Sequence, residues 1–149
     1  MKRIKRIVYA TDFSRASTPA FSAAVNLAAS VGARLAIVHV VSGLLPLLPD
    51  QYFDPSLYER LKRDARAWSS RRLQALAARA RKQGAQRVTT VTREGDPATE
   101  IIRMAKSEHA DLLITGTHGR GGVPRFLIGS VADRLVRTAP CAVMTVRSR

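Results

Sequence analysis

The feature that most constrains this chain is an alternation of two hydrophobic periods along its length. Ile4 to Ala10 is a short apolar run rich in β-formers and reads as a strand. Asp12-Phe13-Ser14 breaks it, and from about Ser17 the residues Phe21, Ala24, Val25, Ala28 and Val31 recur at helical spacing. Pro19 fits because it falls in that helix's first turn, and Gly32 ends it. Arg34 to Val41 is a second strand, apolar on both faces over most of its length, as a central parallel strand requires. Gly43 to Pro55 holds three prolines and reads as a loop. Leu57 to Gln83 reads as a long helix with Leu61, Ala65, Trp68, Leu76 and Ala80 as its inner stripe, closed by Gly84. Arg87 to Arg93 alternates as an edge strand does. Asp96-Pro97 is an N-cap followed by proline at the first helical position, and Ile101, Ile102 and Ala105 form that helix's apolar face. Leu112 to Thr115, Gly129 to Arg137 and Ala142 to Val146 complete the series as strand, helix and strand.

The order is thus βαβαβαβαβ. Helices between successive strands imply right-handed crossovers and a parallel sheet covered on both faces, a doubly wound α/β fold. Nothing divides the 149 residues, so residues 1–149 are expected to form one domain. Composition agrees. With 46% hydrophobic and 24% charged residues the chain is neither disordered nor fibrous. The lone cysteine, Cys141, permits no internal disulfide and points to the cytoplasm. No apolar run approaches the roughly 20 residues that span a bilayer. The basic start is followed by an apolar stretch too short for a signal peptide.

In a doubly wound sheet, ligands sit beyond the carboxyl ends of strands, where the strand order reverses. Two such places are polar here. One is Thr11-Asp12, after the first strand. The other is Gly116-Thr117-His118-Gly119-Arg120-Gly121-Gly122, after the fourth. Four glycines in seven residues let backbone approach a ligand closely, and exposed amides in such a loop cradle phosphate. Gly129-Ser130 opens the next helix, whose N-terminal amides and dipole favour an anion, and Ser130 adds a hydroxyl. Arg120 and Arg125 lie between and add positive charge. Neither G-x-x-x-x-G-K-[ST] nor a G-x-G-x-x-G after the first strand occurs, so two familiar phosphate motifs are excluded.

The spacing G-x2-G-x9-G-S, as Gly116, Gly119, Gly129 and Ser130, resembles the ATP-binding signature of the universal stress protein family. Ala10-Thr11-Asp12-Phe13-Ser14 resembles the family's opening motif, Gly95-Asp96-Pro97-Ala98 the start of its third helix, and Ala139-Pro140-Cys141 its closing motif. The likeness covers nearly the whole chain in order. It implies a five-stranded parallel sheet of order 3-2-1-4-5 and an ATP-binding regulatory or sensor protein, with Mg²⁺ accompanying the nucleotide. By the same resemblance Ala10 and Asp12 lie beside the nucleotide and Val40 contacts adenine. Gly116, Gly119, Gly129 and Ser130 cradle ribose and phosphates, flanked by Arg120 and Val131. It also implies a homodimer through the last strand, 142–146. Thr115 departs from the pattern, standing where members carry a larger apolar residue, which puts the base pocket in question.

Two other readings come from the residues themselves. A slow ATPase or phosphotransferase would use the same cradle, but Asp12 and His118 are the only candidate bases. The net charge of +14 favours polyanions, and helix 57–83 carries nine cationic against two acidic residues. Arg60, Arg63, Arg71, Arg81 and Lys82 share one of its faces. That face is either a solvated surface or a docking surface for an anionic partner such as nucleic acid; aromatics, at 5%, give no stacking platform for single strands. His39 reads as a packed core histidine and Cys141 as a packed thiol, and no clustered spacing suggests a structural metal.

Overall fold

The structure is a computed structural model that describes residues 3–43, 54–117 and 128–148. Its strands are β1 (Arg6–Ala10), β2 (Arg34–Val41), β3 (Val88–Glu94), β4 (Leu112–Gly116) and β5 (Ala142–Val146). Its α-helices are α1 (Thr18–Val31), α2 (Pro55–Lys82), α3 (Pro97–Ser107) and α4 (Ser130–Thr138), with a one-turn 3-10 helix at Arg15–Ser17. The five strands form one parallel sheet in the order β3-β2-β1-β4-β5. Strand order therefore reverses between β1 and β4, where Ala10 lies opposite Thr115.

The alternation of side chains along each strand divides the core into two layers. Ile7, Tyr9, Leu35, Ile37, Leu112 and Ile114 point to one face and meet α1 and α2. Val8, Ala10, Ala36, Val38, Val40 and Leu113 point to the other and meet α3 and α4. The three central strands are buried on both faces, which is why they read as continuous apolar runs. No helix among the described residues is long and apolar enough to cross a membrane.

Helix ends are specified in different ways. Asp54 caps α2 by accepting from the amides of Ser56 and Leu57, and Asp96 caps α3 by accepting from Thr99. Gly32 ends α1 at φ 65°, a left-handed conformation that only glycine adopts freely. The stripe expected for α2 needs correction. Its buried residues are Ser69, Leu73, Ala77 and Ala80, while Leu61 and Trp68 are exposed and Ala65 and Leu76 only half-buried. The buried face carries Leu73 among small residues, and of the expected stripe only Ala80 is fully buried, with Leu76 packed at its margin. Ser69 tolerates full burial because its hydroxyl bonds both His39 Nδ1 (2.8 Å) and the Thr92 hydroxyl (3.0 Å).

Candidate functional site

Chain reversal after β1 is built by short-range bonds. Thr11 continues the ladder to β2 through its amide, which donates to the Val38 carbonyl (3.0 Å). Asp12 Oδ1 accepts from the Ser14 amide (2.9 Å) and Thr11 Oγ1 from the Phe13 amide (3.0 Å). Both bonds tighten the turn, and Phe13 sits within it at φ 61°. A left-handed conformation costs a non-glycine residue about 1–2 kcal/mol, so the turn is held against backbone preference. Ser17 closes the motif, its hydroxyl donating to the Ser14 carbonyl (2.7 Å). That proton being committed, the Thr11 hydroxyl is the donor in the 3.2 Å bond between Thr11 and Ser17. Tyr9 supports the same point from below, donating to the Ser17 carbonyl (3.0 Å), and its burial raises the phenol pKa.

A cavity of about 300 Å³ opens where β1 and β4 diverge. Of the residues named from the sequence, Ala10, Asp12, Val40, Gly116, Gly129, Ser130 and Val131 line it. Gly119 and Arg120, with His118 and Arg125, lie outside the described residues. The cavity also takes in residues beside those the resemblance assigns to the nucleotide. Thr11, Ser17 and Thr117 contribute hydroxyl-bearing side chains, and Pro97 and Ile101 close the α3 side. Thr115 is on the wall too and is 8% exposed. His39, expected as a core residue, is only half-buried: it lies against Phe13 (4.4 Å between centroids, planes 36° apart), bonds Ser69 and lines the cavity.

The start of α4 is the cavity's most distinctive wall. Gly129 is the N-cap, with extended ψ and no side chain to offer, and no side-chain cap bond is made. Gly129 through Ala132 all line the cavity, so the first-turn amides lie beside it without the carboxylate that closes α2 and α3. Backbone bonds fix the position of this end: the Gly129 amide donates to Thr117 O (2.7 Å), and the Thr117 amide donates to Val146 O (3.0 Å). Arg134 ties α4 to α3 by donating to Asp96 Oδ2 (2.7 Å) and the Thr99 hydroxyl (2.9 Å). An uncapped helix start holding positive partial charge is suited to anionic oxygens.

Cys141 lies elsewhere, beside β5. Burial raises its pKa, with Asp111 adding to the effect, so the thiolate is disfavoured and the residue is a packing thiol.

Comparison with known proteins agrees with this architecture. The model of the universal stress protein family matches residues 3–147. A universal stress protein of Methanocaldococcus jannaschii is 34% identical over 145 residues, covering 96% of this chain and 82% of the relative. One from Thermus aquaticus is 34% identical over 143 residues, covering 96% and 98%. Among solved structures, the universal stress protein UspA of Lactobacillus plantarum superposes with a TM-score of 0.84 at 26% identity, covering 99% of this chain and 100% of that one. Two further structures of the same fold hold nucleotides. One is a universal stress protein in complex with cAMP (TM-score 0.72, 23% identity, 99% and 100% covered). The other, from Archaeoglobus fulgidus, is in complex with dAMP (TM-score 0.64, 20% identity, 98% and 100% covered). Sheet order, the cavity at the strand reversal and a family match over nearly the full length lead to one conclusion: the chain belongs to the universal stress protein family.

Proposed function

We propose that the cavity between β1 and β4 binds an adenine nucleotide, ATP with its Mg²⁺, and that the protein is a cytoplasmic regulatory module reporting nucleotide occupancy. The observation that carries this reading is the uncapped start of α4 beside the cavity. In it, the amides following Gly129 and the Ser130 hydroxyl hold phosphate oxygens. Gly116 lets backbone come close, and Gly119 and Arg120 complete the cradle. Val40, Ala10 and Val131 supply an apolar lining for the base, with Thr115 beside them, and Asp12 lies next to the ribose. The cAMP and dAMP complexes of fold relatives support an adenine nucleotide as the class. Bound Mg²⁺ would neutralise phosphate charge. A homodimer through β5 goes with the same reading.

Gently purified protein, denatured, should release stoichiometric ATP that chromatography and mass spectrometry identify. Gly129→Asp supplies the sharper test. Gly129 already has the extended conformation of an N-cap, so an aspartate there caps α4 and leaves the melting temperature unchanged or slightly raised. The same carboxylate occupies the amides and repels phosphate, weakening ATP about ten-fold or more in calorimetry. Undiminished ATP affinity in Gly129→Asp would sink the reading.

A further inference from the structure

A second cavity, of about 350 Å³, lies on the other side of the β1 turn, between the start of α1 and the middle of α2. It shares Thr11 and Ser17 with the first cavity, and the hydrogen bond between those two hydroxyls runs along the common wall. Asp12 faces the first cavity and Phe13 the second, so the strained turn puts a carboxylate on one side and an aromatic ring on the other.

Arg71, Arg72 and Arg79 converge on this second cavity from α2. Positions 72 and 79 are seven apart, two turns along one helix face. Elsewhere on α2, Lys62 and Arg66 are paired with Glu94 (3.2 and 2.9 Å). Among the described residues no carboxylate pairs with Arg71, Arg72 or Arg79. Two of them are nevertheless held in place. The Arg72 guanidinium lies 5.0 Å from the Phe13 ring centre and 5.1 Å from that of Trp68, and Arg79 lies 5.0 Å from Phe21. Phe13 and Trp68 stand nearly perpendicular (87°), so the Arg72 guanidinium can lay its flat face on only one of them, and the donors on its remaining edges suit a phosphate or carboxylate fork. Ser14, on the cavity wall, has a buried hydroxyl oxygen with no hydrogen-bond partner among the described residues. Phe21 and Leu76 provide apolar wall beside these charges.

We propose that this cavity is a second anion site, distinct from the nucleotide cavity, that takes a phosphomonoester bearing a small apolar body. The phosphate takes the in-plane donors of Arg72 and Arg79, with Arg71 at the rim, and the body rests against Phe21 and Leu76. Binding there places an anion among guanidinium groups that make no ion pair with a carboxylate among the described residues. The inference does not depend on what the first cavity holds.

Phenyl phosphate is the probe. Trp68 is the only tryptophan and touches Arg72, so its emission reports movement of that guanidinium. Titration at low ionic strength should change Trp68 emission saturably, and calorimetry should give one site per chain. Arg72→Gln and Arg79→Gln should each weaken binding about ten-fold, the loss of one charge-assisted bond. Arg60→Gln removes the same charge from the same helix away from the cavity and should change affinity less than about two-fold. Gly129→Asp, which obstructs the first cavity, should leave phenyl phosphate binding intact. Absence of saturation overturns the proposal. So does an equal loss in Arg60→Gln and Arg72→Gln, which would mean unlocalised charge attraction, and so does a loss in Gly129→Asp, which would place the probe in the nucleotide cavity. Inorganic phosphate binding as tightly as phenyl phosphate would remove the apolar body from the proposal.

Discussion

Asp96 shows how much one carboxylate can organise. Its Oδ2 accepts from the Thr99 amide (2.9 Å), the Thr99 hydroxyl (2.6 Å) and Arg134 (2.7 Å), joining the start of α3 to α4. Those bonds, the Thr99 hydroxyl first among them, hold its pKa below the ordinary aspartate value. A carboxylate with a depressed folded-state pKa stabilises fully above its unfolded value, about 3.9, and loses that contribution as pH falls through the lower folded value. Asp96→Ala should therefore cost about 1 kcal/mol at neutral pH, the usual worth of a lost cap. Chemical denaturation repeated at decreasing pH should show the gap between wild type and variant constant down to about pH 4 and closing below it. A gap that stays constant further into acid would contradict the assignment. At this scale the sequence was informative: Asp96-Pro97 announces a cap and a first helical residue, and the structure has both. Thr11 was legible only as part of the polar place after the first strand, and Ser17 was not legible as a site residue. Small hydroxyl residues occur throughout the chain, and only the fold brings these two together on a wall between cavities.

Among the elements, α2 departs most from its reading. A search for large apolar residues at helical spacing finds Leu61 and Trp68, each more than a third exposed. The sheet instead takes the side bearing Ser69, Leu73, Ala77 and Ala80, which packs against β2 and β3. Periodicity alone does not make that choice, because the partners of the buried face, such as His39 and Thr92 on Ser69, are distant in sequence. Leu73, 1% exposed, should lose about 2–5 kcal/mol as alanine. Leu61→Ala should lose about 1 kcal/mol or less. Urea denaturation of the two variants distinguishes the observed stripe from the one read off the sequence, and equal losses would restore the latter. The expected basic face also changes in detail. Arg81 is exposed, yet its guanidinium donates to the Val88 carbonyl (2.9 Å) and so fastens the end of α2 to β3. The strands were read more securely, since β2 and β4 are short, apolar and bounded by polar residues. Their spatial order came from the family resemblance, because spacing along a chain does not say which strands are neighbours.

For the molecule as a whole, the sheet has two edges, β3 and β5. β5 is the barer one: Ala142 and Met144 are exposed along it, and Val136 on the preceding helix is 52% exposed. An unpaired apolar edge strand invites a second copy. A homodimer through β5 should sediment at twice the 16.3 kDa chain mass, and Met144→Lys should return it to a monomer with its circular dichroism unchanged. Wild-type protein sedimenting as a monomer at micromolar concentration would remove the last strand from consideration. The excess charge, +14 over the chain, has no single address. Part of α2's share is paired with Glu94 and part converges on the second cavity.

The bare start of α4 has a consequence for how this protein holds itself together. α2 and α3 carry their own caps, so their first turns are complete whatever the surroundings. Among the described residues no side chain closes the first turn of α4, so an occupant of the cavity beside it would become part of the secondary structure. Folding free energy then rises with the logarithm of the occupant's concentration. The effect begins locally: the amides of Val131 and Ala132 should exchange with deuterium fastest in protein stripped of ligand and slow first as ligand is restored. The last helix would thus act as a gauge, with its fraying set by the solution outside.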